Sequence, residues 1–177
     1  MYLMNPIKLL KIYAPSPQDR IILVNVDRQQ LSLYEQDICL QKWPVSTSSR
    51  GTGCLKDSLM TPTGVHRIAE KIGRHAKIMS LFKARVDTGQ KAVIFNGDTE
   101  SGEDQITSRI LWLKGLEAGL NLGGDVDTYA RYIYIHGTPE EGLIGKPASQ
   151  GCIRMRNDDV IKLFELVDCN TLVYIGT

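Results

Sequence analysis

Long hydrophobic runs are absent from this sequence of 177 residues. No stretch approaches the roughly 20 apolar residues that a membrane-spanning helix needs. Charge of one sign is also missing, because 21 Lys and Arg stand against 20 Asp and Glu and leave a net charge of +1. Such a balance gives no overall attraction to nucleic acid or to an anionic membrane. Without internal repeats or a linker rich in Pro, Gly or Ser, we expect one domain that binds neither nucleic acid nor membrane.

Cysteine is scarce as well, and no CxxC pair occurs among the four residues Cys39, Cys54, Cys152 and Cys169. That absence argues against a zinc knuckle or a thioredoxin motif. Cys39 and Cys169 each lie in an apolar run, so we expect both to be small buried residues. If Cys152 is a free nucleophile, at most one disulfide can form among the other three.

Metal-ligand spacing is missing too. His66 and His75 have neither the spacing nor an accompanying acid that would make them metal ligands with Cys54. We expect both histidines at the surface, and we expect no metal and no other cofactor.

Residues 1–19 form an N-terminal extension ahead of a domain that we place at residues 20–177. Lys8 and Lys11 interrupt the apolar residues near the start, which leaves fewer than the ~7–15 uninterrupted ones of a secretory signal. No small-residue cleavage site follows. We therefore expect a cytoplasmic protein from the residues as written, and a periplasmic one if a leader precedes them.

Short runs of β-forming residues dominate the rest of the chain and predict a mostly β domain. A hairpin is indicated where two such runs meet at residues 27–29. The predicted strands are Arg20–Val26, Gln30–Tyr34, Asp37–Val45, Val65–Ala69, Ala92–Phe95, Ile106–Leu113, Arg131–Ile135 and Thr171–Ile175.

One helix is predicted in the C-terminal half. Asn157 suits the N-cap, and two aspartates follow it where the helix dipole favours negative charge. An apolar stripe at helical spacing then faces the core, formed by Val160, Leu163, Phe164 and Val167.

The segment with the clearest chemistry runs from His136 to Asn157 and reads HGTPEEGLIGKPASQGCIRMRN. It places a histidine and a cysteine sixteen positions apart, each beside a glycine. A cysteine nucleophile needs a base, backbone N–H groups that can face an oxyanion, and nearby positive charge. A cysteine that only packs in a core needs none of these.

This segment resembles the signature of the L,D-transpeptidase (YkuD-type) catalytic domain family, HG[TS], a spacer, then SxGC[IV]R. Eight residues match it: His136, Gly137, Thr138, Ser149, Gly151, Cys152, Ile153 and Arg154. The hairpin, the TPTG turn at residues 61–64 and the C-terminal TLVYIG extend the likeness over roughly residues 20–176. The resemblance implies a β-sandwich-like catalytic fold with the cysteine on a loop at the mouth of a cleft.

The resemblance also implies catalytic roles. Cys152 is the nucleophile, and His136 is the general base, its other ring nitrogen oriented by a backbone carbonyl that we expect to be Gly137's. The N–H groups of Gly151 and Cys152 are the expected oxyanion donors. Gln150 departs from the family, where histidine is frequent at that position.

Three further residues are predicted to bind substrate or to support the loop. Arg154 orients either the loop or a substrate carboxylate, or it braces the start of the helix. Ser149 bonds to the loop or to His136, and Thr138 is a substrate-binding candidate.

A basic segment, Arg67–Lys91, holds seven Lys and Arg against Glu70 and Asp87. It is either a solvated face or a cleft wall that attracts an acidic substrate. Peptidoglycan stem peptides and soluble muropeptides carry several free carboxylates and fit the second interpretation.

The resemblance implies acyl transfer on such stems, with loss of the terminal D-alanine of a tetrapeptide through a thioester at Cys152. With water as acceptor the enzyme is an L,D-carboxypeptidase, which the missing export signal favours. With the amine of a second stem it is an L,D-transpeptidase that forms 3–3 cross-links. A non-catalytic peptidoglycan-binding module is the alternative from another class.

Overall fold

A computed structural model describes residues 10, 12–13, 20–98, 102 and 104–177. Within these residues ten strands join one sheet, and the α-helix Asn157–Leu166 packs against it. The strands are β1 Arg20–Asn25, β2 Gln30–Glu35, β3 Ile38–Pro44, β4 Gly64–Ile72, β5 Ser80–Lys83, β6 Val86–Lys91, β7 Ile106–Gly115, β8 Tyr134–Gly137, β9 Ile153–Met155 and β10 Leu172–Gly176. Helix α1 is Asn157–Leu166, and short 3₁₀ turns cover Gly124–Val126 and Glu141–Leu143. The predicted mostly β fold with a helix in the C-terminal half is confirmed.

The strand order is β3-β2-β1-β10-β4-β7-β5-β6, and β8 and β9 branch from β7. The first and last strands of the chain, β1 and β10, are parallel neighbours in the sheet. β8 and β9 are the other parallel pair. The main core consists of apolar side chains from the sheet and from α1, among them Ile22, Leu31, Ile135 and Phe164. This core supports the loop that follows β8 and the loop that precedes β9.

Most predicted strands are confirmed, but the one at Ala92–Phe95 is wrong. That segment has no strand pairing and leaves Val93 and Phe95 73% and 40% exposed. Its N–H groups bond singly to distant carbonyls, from Ala92 to Met79 and from Phe95 to Pro139. The strands β5, β6 and β9 were not predicted, because β6 is exposed along its whole length and β9 has only three residues.

The apolar stripe of α1 is confirmed, with Val160, Leu163 and Phe164 buried in the core. The predicted N-cap is wrong: the cap position is Arg156, without a side-chain cap bond, and Asn157 is the first helical residue. The side-chain amide of Asn157 instead forms hydrogen bonds with residues of β7 and with the residue that follows β8.

The structure corrects three expectations about isolated side chains. Cys39 and Cys169 are exposed rather than buried, and all four cysteines are free thiols. His66 is fully buried, with its ring nitrogens 3.0 Å from Gly64 O and 3.2 Å from Thr128 Oγ1, whereas His75 is at the surface as expected. Burial in the sheet lowers the pKa of His66 to about 4, so its imidazole is neutral at pH 7.

Candidate active site

Strands β8 and β9 bring the predicted histidine and cysteine together. They are parallel neighbours, and their register sets His136 beside Arg154. Cys152 immediately precedes β9, where its Sγ accepts a hydrogen bond from Tyr134 N at 3.3 Å. His136 and Cys152 line one cavity of about 310 Å³. Two residues sixteen positions apart therefore share a site because the parallel register sets Cys152, just before β9, beside Tyr134, two residues before His136 on β8.

The His136 ring is held in a single tautomer. Its Nδ1 lies 2.7 Å from Gly137 O, and because a carbonyl only accepts, Nδ1 carries the proton. This is the backbone contact that the resemblance implied. Nε2 is buried and has no hydrogen-bond partner in the described part of the chain. Burial lowers the pKa of His136 below its ordinary value, so at neutral pH the ring is neutral with a lone pair on Nε2.

The Cys152 thiol is protonated at neutral pH. Burial is the largest cause that raises its pKa to about 12, and the Asp104 carboxylate raises it further. Sγ also donates to Tyr132 O at 3.5 Å, a bond that only the thiol form can make. The pair is therefore a neutral thiol and a neutral imidazole, and the thiol needs a base to become a nucleophile.

The loop before β9 depends on Gly151 and Ser149. Gly151 has φ +123°, and a Cβ there would meet Ile133 Cδ1 and Met60 O, each at 3.3 Å. The Ser149 hydroxyl donates to Cys152 O at 2.6 Å and accepts from Gly151 N at 3.2 Å. Ser149 is thus a hydrogen bonder to the loop. The Gly151 N–H is engaged by Ser149, so an oxyanion would compete with that hydroxyl for the same donor.

Arg154 is 3% exposed and is bound by two carboxylates. Its Nη1 lies 2.5 Å from Glu140 Oε2, and its Nε lies 2.9 Å from Asp104 Oδ1. The second oxygen of Asp104 accepts from Gln150 N at 3.1 Å. These contacts tie β9, the loop after β8 and the cysteine loop together, and they support the loop-orienting alternative for Arg154 over contact with a substrate carboxylate.

Gly137 and Thr138 are packed against neighbouring strands. A Cβ on Gly137 would lie 2.6 Å from Thr107 O, so no larger residue fits. Thr138 is 1% exposed, and its Oγ1 accepts from Glu140 N at 3.1 Å. Thr138 does not line the cavity that holds Cys152, and its contacts support the turn after β8.

Asn157 fastens this turn from behind. Its Oδ1 accepts from Thr107 Oγ1 at 2.7 Å and from Ser108 Oγ at 2.6 Å, while its Nδ2 donates to Thr138 O at 2.9 Å. The amide therefore joins β7 to the His136 strand instead of capping α1. Its position at the end of the motif was visible in the sequence, but the direction of its side chain was not.

Several cavity residues were not predicted. They are Ala84, Arg85, Asp104, Ile106, Tyr132 and Tyr134. Arg85 lies in the basic segment singled out above, and the two tyrosines precede His136 in its own strand region. Asp104 is one of several acidic residues in a polar stretch, and nothing in the sequence relates it to Arg154. In the described ranges, no group of three His, Cys, Asp or Glu side chains is arranged to hold a metal ion.

The family model of the L,D-transpeptidase catalytic domain, YkuD, matches residues 19–175. The chain belongs to this family. The family resemblance of the signature segment is confirmed.

Individual relatives match over shorter stretches. YqjB of Bacillus subtilis is 48% identical over 48 residues, which are 27% of this chain and 27% of that protein. ErfK/SrfK of Salmonella typhimurium is 46% identical over 68 residues, 35% of this chain and 22% of that protein. The matches therefore span well under half the length of these relatives.

Solved structures share the fold. An L,D-transpeptidase from Mycobacterium smegmatis superposes with a TM-score of 0.56 at 15% identity and covers 90% of this chain and 59% of that chain. One from Xylanimonas cellulosilytica gives 0.54 at 15% identity, with 92% and 63% covered. Searching the described residues finds no helix long and apolar enough to cross a membrane.

Proposed function

We propose that this protein is a cysteine acyl-transfer enzyme that acts on peptidoglycan stem peptides and releases the terminal D-alanine of a tetrapeptide. Family membership supports the peptidoglycan assignment. The observation that carries the catalytic part is the buried, unpartnered Nε2 of His136 in the cavity that also holds the Cys152 thiol. A neutral imidazole with a free lone pair in the same cavity as a neutral thiol is the starting state of general-base catalysis.

In the proposed reaction Cys152 Sγ attacks the carbonyl at the L-centre of the third stem residue. The thiol proton passes to His136 Nε2 as the carbon–sulfur bond forms. His136 then gives this proton to the nitrogen of the leaving residue as the carbon–nitrogen bond breaks, which leaves a thioester on Cys152 and free D-alanine. Gly137 O stabilises the imidazolium that exists between these steps, because it accepts the Nδ1 proton.

Water is the proposed acceptor of the acyl group, which makes the enzyme an L,D-carboxypeptidase. The partly exposed position of Cys152 in the cavity of about 310 Å³ supports this choice, because water can reach a thioester there. An amine acceptor would have to bring a second stem to the same carbonyl, and cross-linking is therefore the competing outcome of the test.

The test is incubation of the purified protein with disaccharide-tetrapeptide, with and without an acceptor stem. Intact-mass measurement reports the acyl-enzyme, and chromatography reports the products. Tripeptide and free D-alanine in both reactions support the carboxypeptidase. Dimeric 3–3 products would replace it with the transpeptidase, and the absence of any acyl-enzyme or product would support the binding module.

A further inference from the structure

Arg85 lies in the catalytic cavity, although no signature motif includes it. It is the second residue of the two-residue turn Ala84–Arg85 between β5 and β6, because Lys83 pairs with Val86. Its side chain lines the same cavity as His136 and Cys152. The hairpin thus delivers one positive charge to the space where the acyl group of the substrate would react.

The guanidinium is held in place by aromatic side chains. Its Cζ lies 4.7 Å from the ring centroid of Trp112 and 5.1 Å from that of Tyr132, and Nη1 donates to Tyr134 Oη at 3.3 Å. The backbones of the two tyrosines are the groups that hold Cys152 Sγ. Arg85 and the nucleophile are therefore positioned by the same two residues, which fixes one relative to the other.

The charge of Arg85 is not neutralised by any carboxylate among the residues that the structure describes. The nearby Asp104 is already paired with Arg154. Aromatic faces orient a guanidinium but carry no net charge. The planar fork of N–H donors is suited to a carboxylate, which it can bind through two hydrogen bonds at once.

The backbone of the turn has an unfavourable conformation at both of its residues. Ala84 and Arg85 have φ +46° and +68°, the left-handed region that such two-residue turns usually fill with Asn and Gly. A long, charged residue at the second position has no advantage for the turn itself. Strain of this kind concentrates where a side chain has a function.

We propose that Arg85 binds the α-carboxylate of the residue that leaves, so that the site selects stems ending one residue beyond the scissile bond. The inference rests on the proposed function and adds the group that defines the donor. In a cavity of about 310 Å³, a substrate that places its carbonyl at Cys152 brings only nearby groups to Arg85. The terminal α-carboxylate is the charged group closest to the scissile carbonyl.

The test compares two donors, the disaccharide-tetrapeptide with a free terminal carboxylate and the same compound with a terminal carboxamide. A charge-assisted pair of hydrogen bonds corresponds to about a 10- to 100-fold preference in kcat/KM for the free acid. In Arg85→Gln this preference should collapse to near one, through loss on the free acid and little change on the carboxamide. Arg85→Lys should retain part of it, because a point charge replaces the fork.

The matched control is Lys83→Gln, which removes the same charge from an exposed position in the same hairpin. It should leave the preference and both rates unchanged. If Arg85→Gln slows both donors equally, Arg85 has only a structural role in the hairpin. If Arg85→Gln keeps the wild-type preference, another group binds the carboxylate. Either result overturns the proposal.

Binding separates this proposal from the proposed function. Calorimetry with Cys152→Ala protein, which cannot turn over, measures the affinity for both donors directly. A preference for the free acid that disappears in Cys152→Ala/Arg85→Gln supports Arg85 even if the wild type forms no acyl-enzyme, in which case the proposed function fails alone. Turnover without any Arg85-dependent preference overturns the Arg85 proposal alone, and a lack of both binding and turnover overturns the two together.

Discussion

Strands β8 and β9 and the β5–β6 hairpin both contribute to the catalytic cavity, but they are built in opposite ways. β8 and β9 are buried at every residue; β8 carries His136, and Cys152 directly precedes β9. In the hairpin, every residue of β6 is exposed, and Val86 is 67% exposed at the point where β6 begins. The two proposed reacting groups therefore lie in the buried part of the molecule, and Arg85, the proposed substrate-binding group, lies on a hairpin of which only β5 reaches the core.

The difference follows from how each region satisfies its polar groups. Around the signature segment, Arg154 and Asn157 are 3% and 2% exposed and bond to several strands and loops at once. The hairpin is held by its own ladder, by the pairing of β5 with β7, by the buried Phe82 and by the contacts of Arg85. Enzymes gain from this division, because reaction geometry must be precise while the residues that choose a substrate can vary.

Replacing the nucleophile tests the rigid side most severely. We expect Cys152→Ala to abolish turnover, because no other group in the cavity can form the thioester, and to keep the fold, because only Sγ is removed. Tetrapeptide turnover by chromatography and far-UV circular dichroism measure the two expectations. Residual turnover near the wild-type rate would show that the reaction does not pass through Cys152.

His136→Gln should slow acylation by about 10²- to 10⁴-fold, the usual contribution of a positioned acid–base group. Only the unprotonated ring can accept the thiol proton, and burial lowers the pKa of His136. The wild-type kcat/KM should therefore be fully present well above pH 6.5, the ordinary pKa of histidine, and fall as the pH drops through the lowered pKa of His136.

The pH profile of His136→Gln also tests the role of His136 as general base. It should lose this acid limb, while the high pKa of Cys152, about 12, predicts no loss from thiol ionisation near neutral pH. An acid limb that persists unchanged in the variant would assign the titration to another group.

Arg154→Met tests whether the ion pairs hold the rigid wall. Removing the guanidinium takes the positive charge away from the buried Glu140 and the partly buried Asp104, at a cost of about 3–5 kcal/mol in the free energy of unfolding. For a chain of this length that lowers the thermal midpoint by roughly 6–20 °C. Calorimetry measures the thermal midpoint. Lys162→Met is the control, because Lys162 is 66% exposed and its ion pair with Asp159 is long, at 3.9 Å. Equal, small shifts in both variants would mean that Arg154 contributes little to stability.

The sequence predicted the rigid region better than the hairpin, for physical reasons. The β8 and β9 residues form a motif whose chemistry is local, with His136, Gly151 and Cys152 each recognisable beside its neighbours. The pairing of Arg154 with Asp104 could not be predicted, because the two lie fifty positions apart and meet only through the fold. Asn157 was misread as a cap, since a capping side chain and one that bonds to neighbouring strands look the same in sequence.

The hairpin escaped prediction because its strands have no apolar alternation. β6 reads VDTGQK and is exposed throughout, so burial leaves no periodic pattern in it. The sequence instead predicts a strand at Ala92–Phe95, a segment that is more apolar but is not paired in the sheet. Arg85 was visible only as one of seven basic residues, and its choice from among them depends on the aromatic rings of Trp112 and Tyr132 that surround it.

The smallest predicted effect is on the hairpin turn. A non-glycine residue at φ +46° costs about 1–2 kcal/mol, and glycine loses about 0.5–1 kcal/mol of that advantage to its greater freedom when unfolded. Ala84→Gly should therefore raise the free energy of unfolding by about 0.5–1 kcal/mol and the thermal midpoint by roughly 1–4 °C.

The matched control is Ala69→Gly, in the extended strand β4, where the same change relieves no strain and should lower the midpoint. Thermal unfolding of both variants under one set of conditions gives the comparison. Opposite signs support a turn held in the left-handed conformation for the sake of Arg85. A midpoint lowered equally in both would mean that the turn is relaxed in solution, and the argument from strain for a function of Arg85 would be lost.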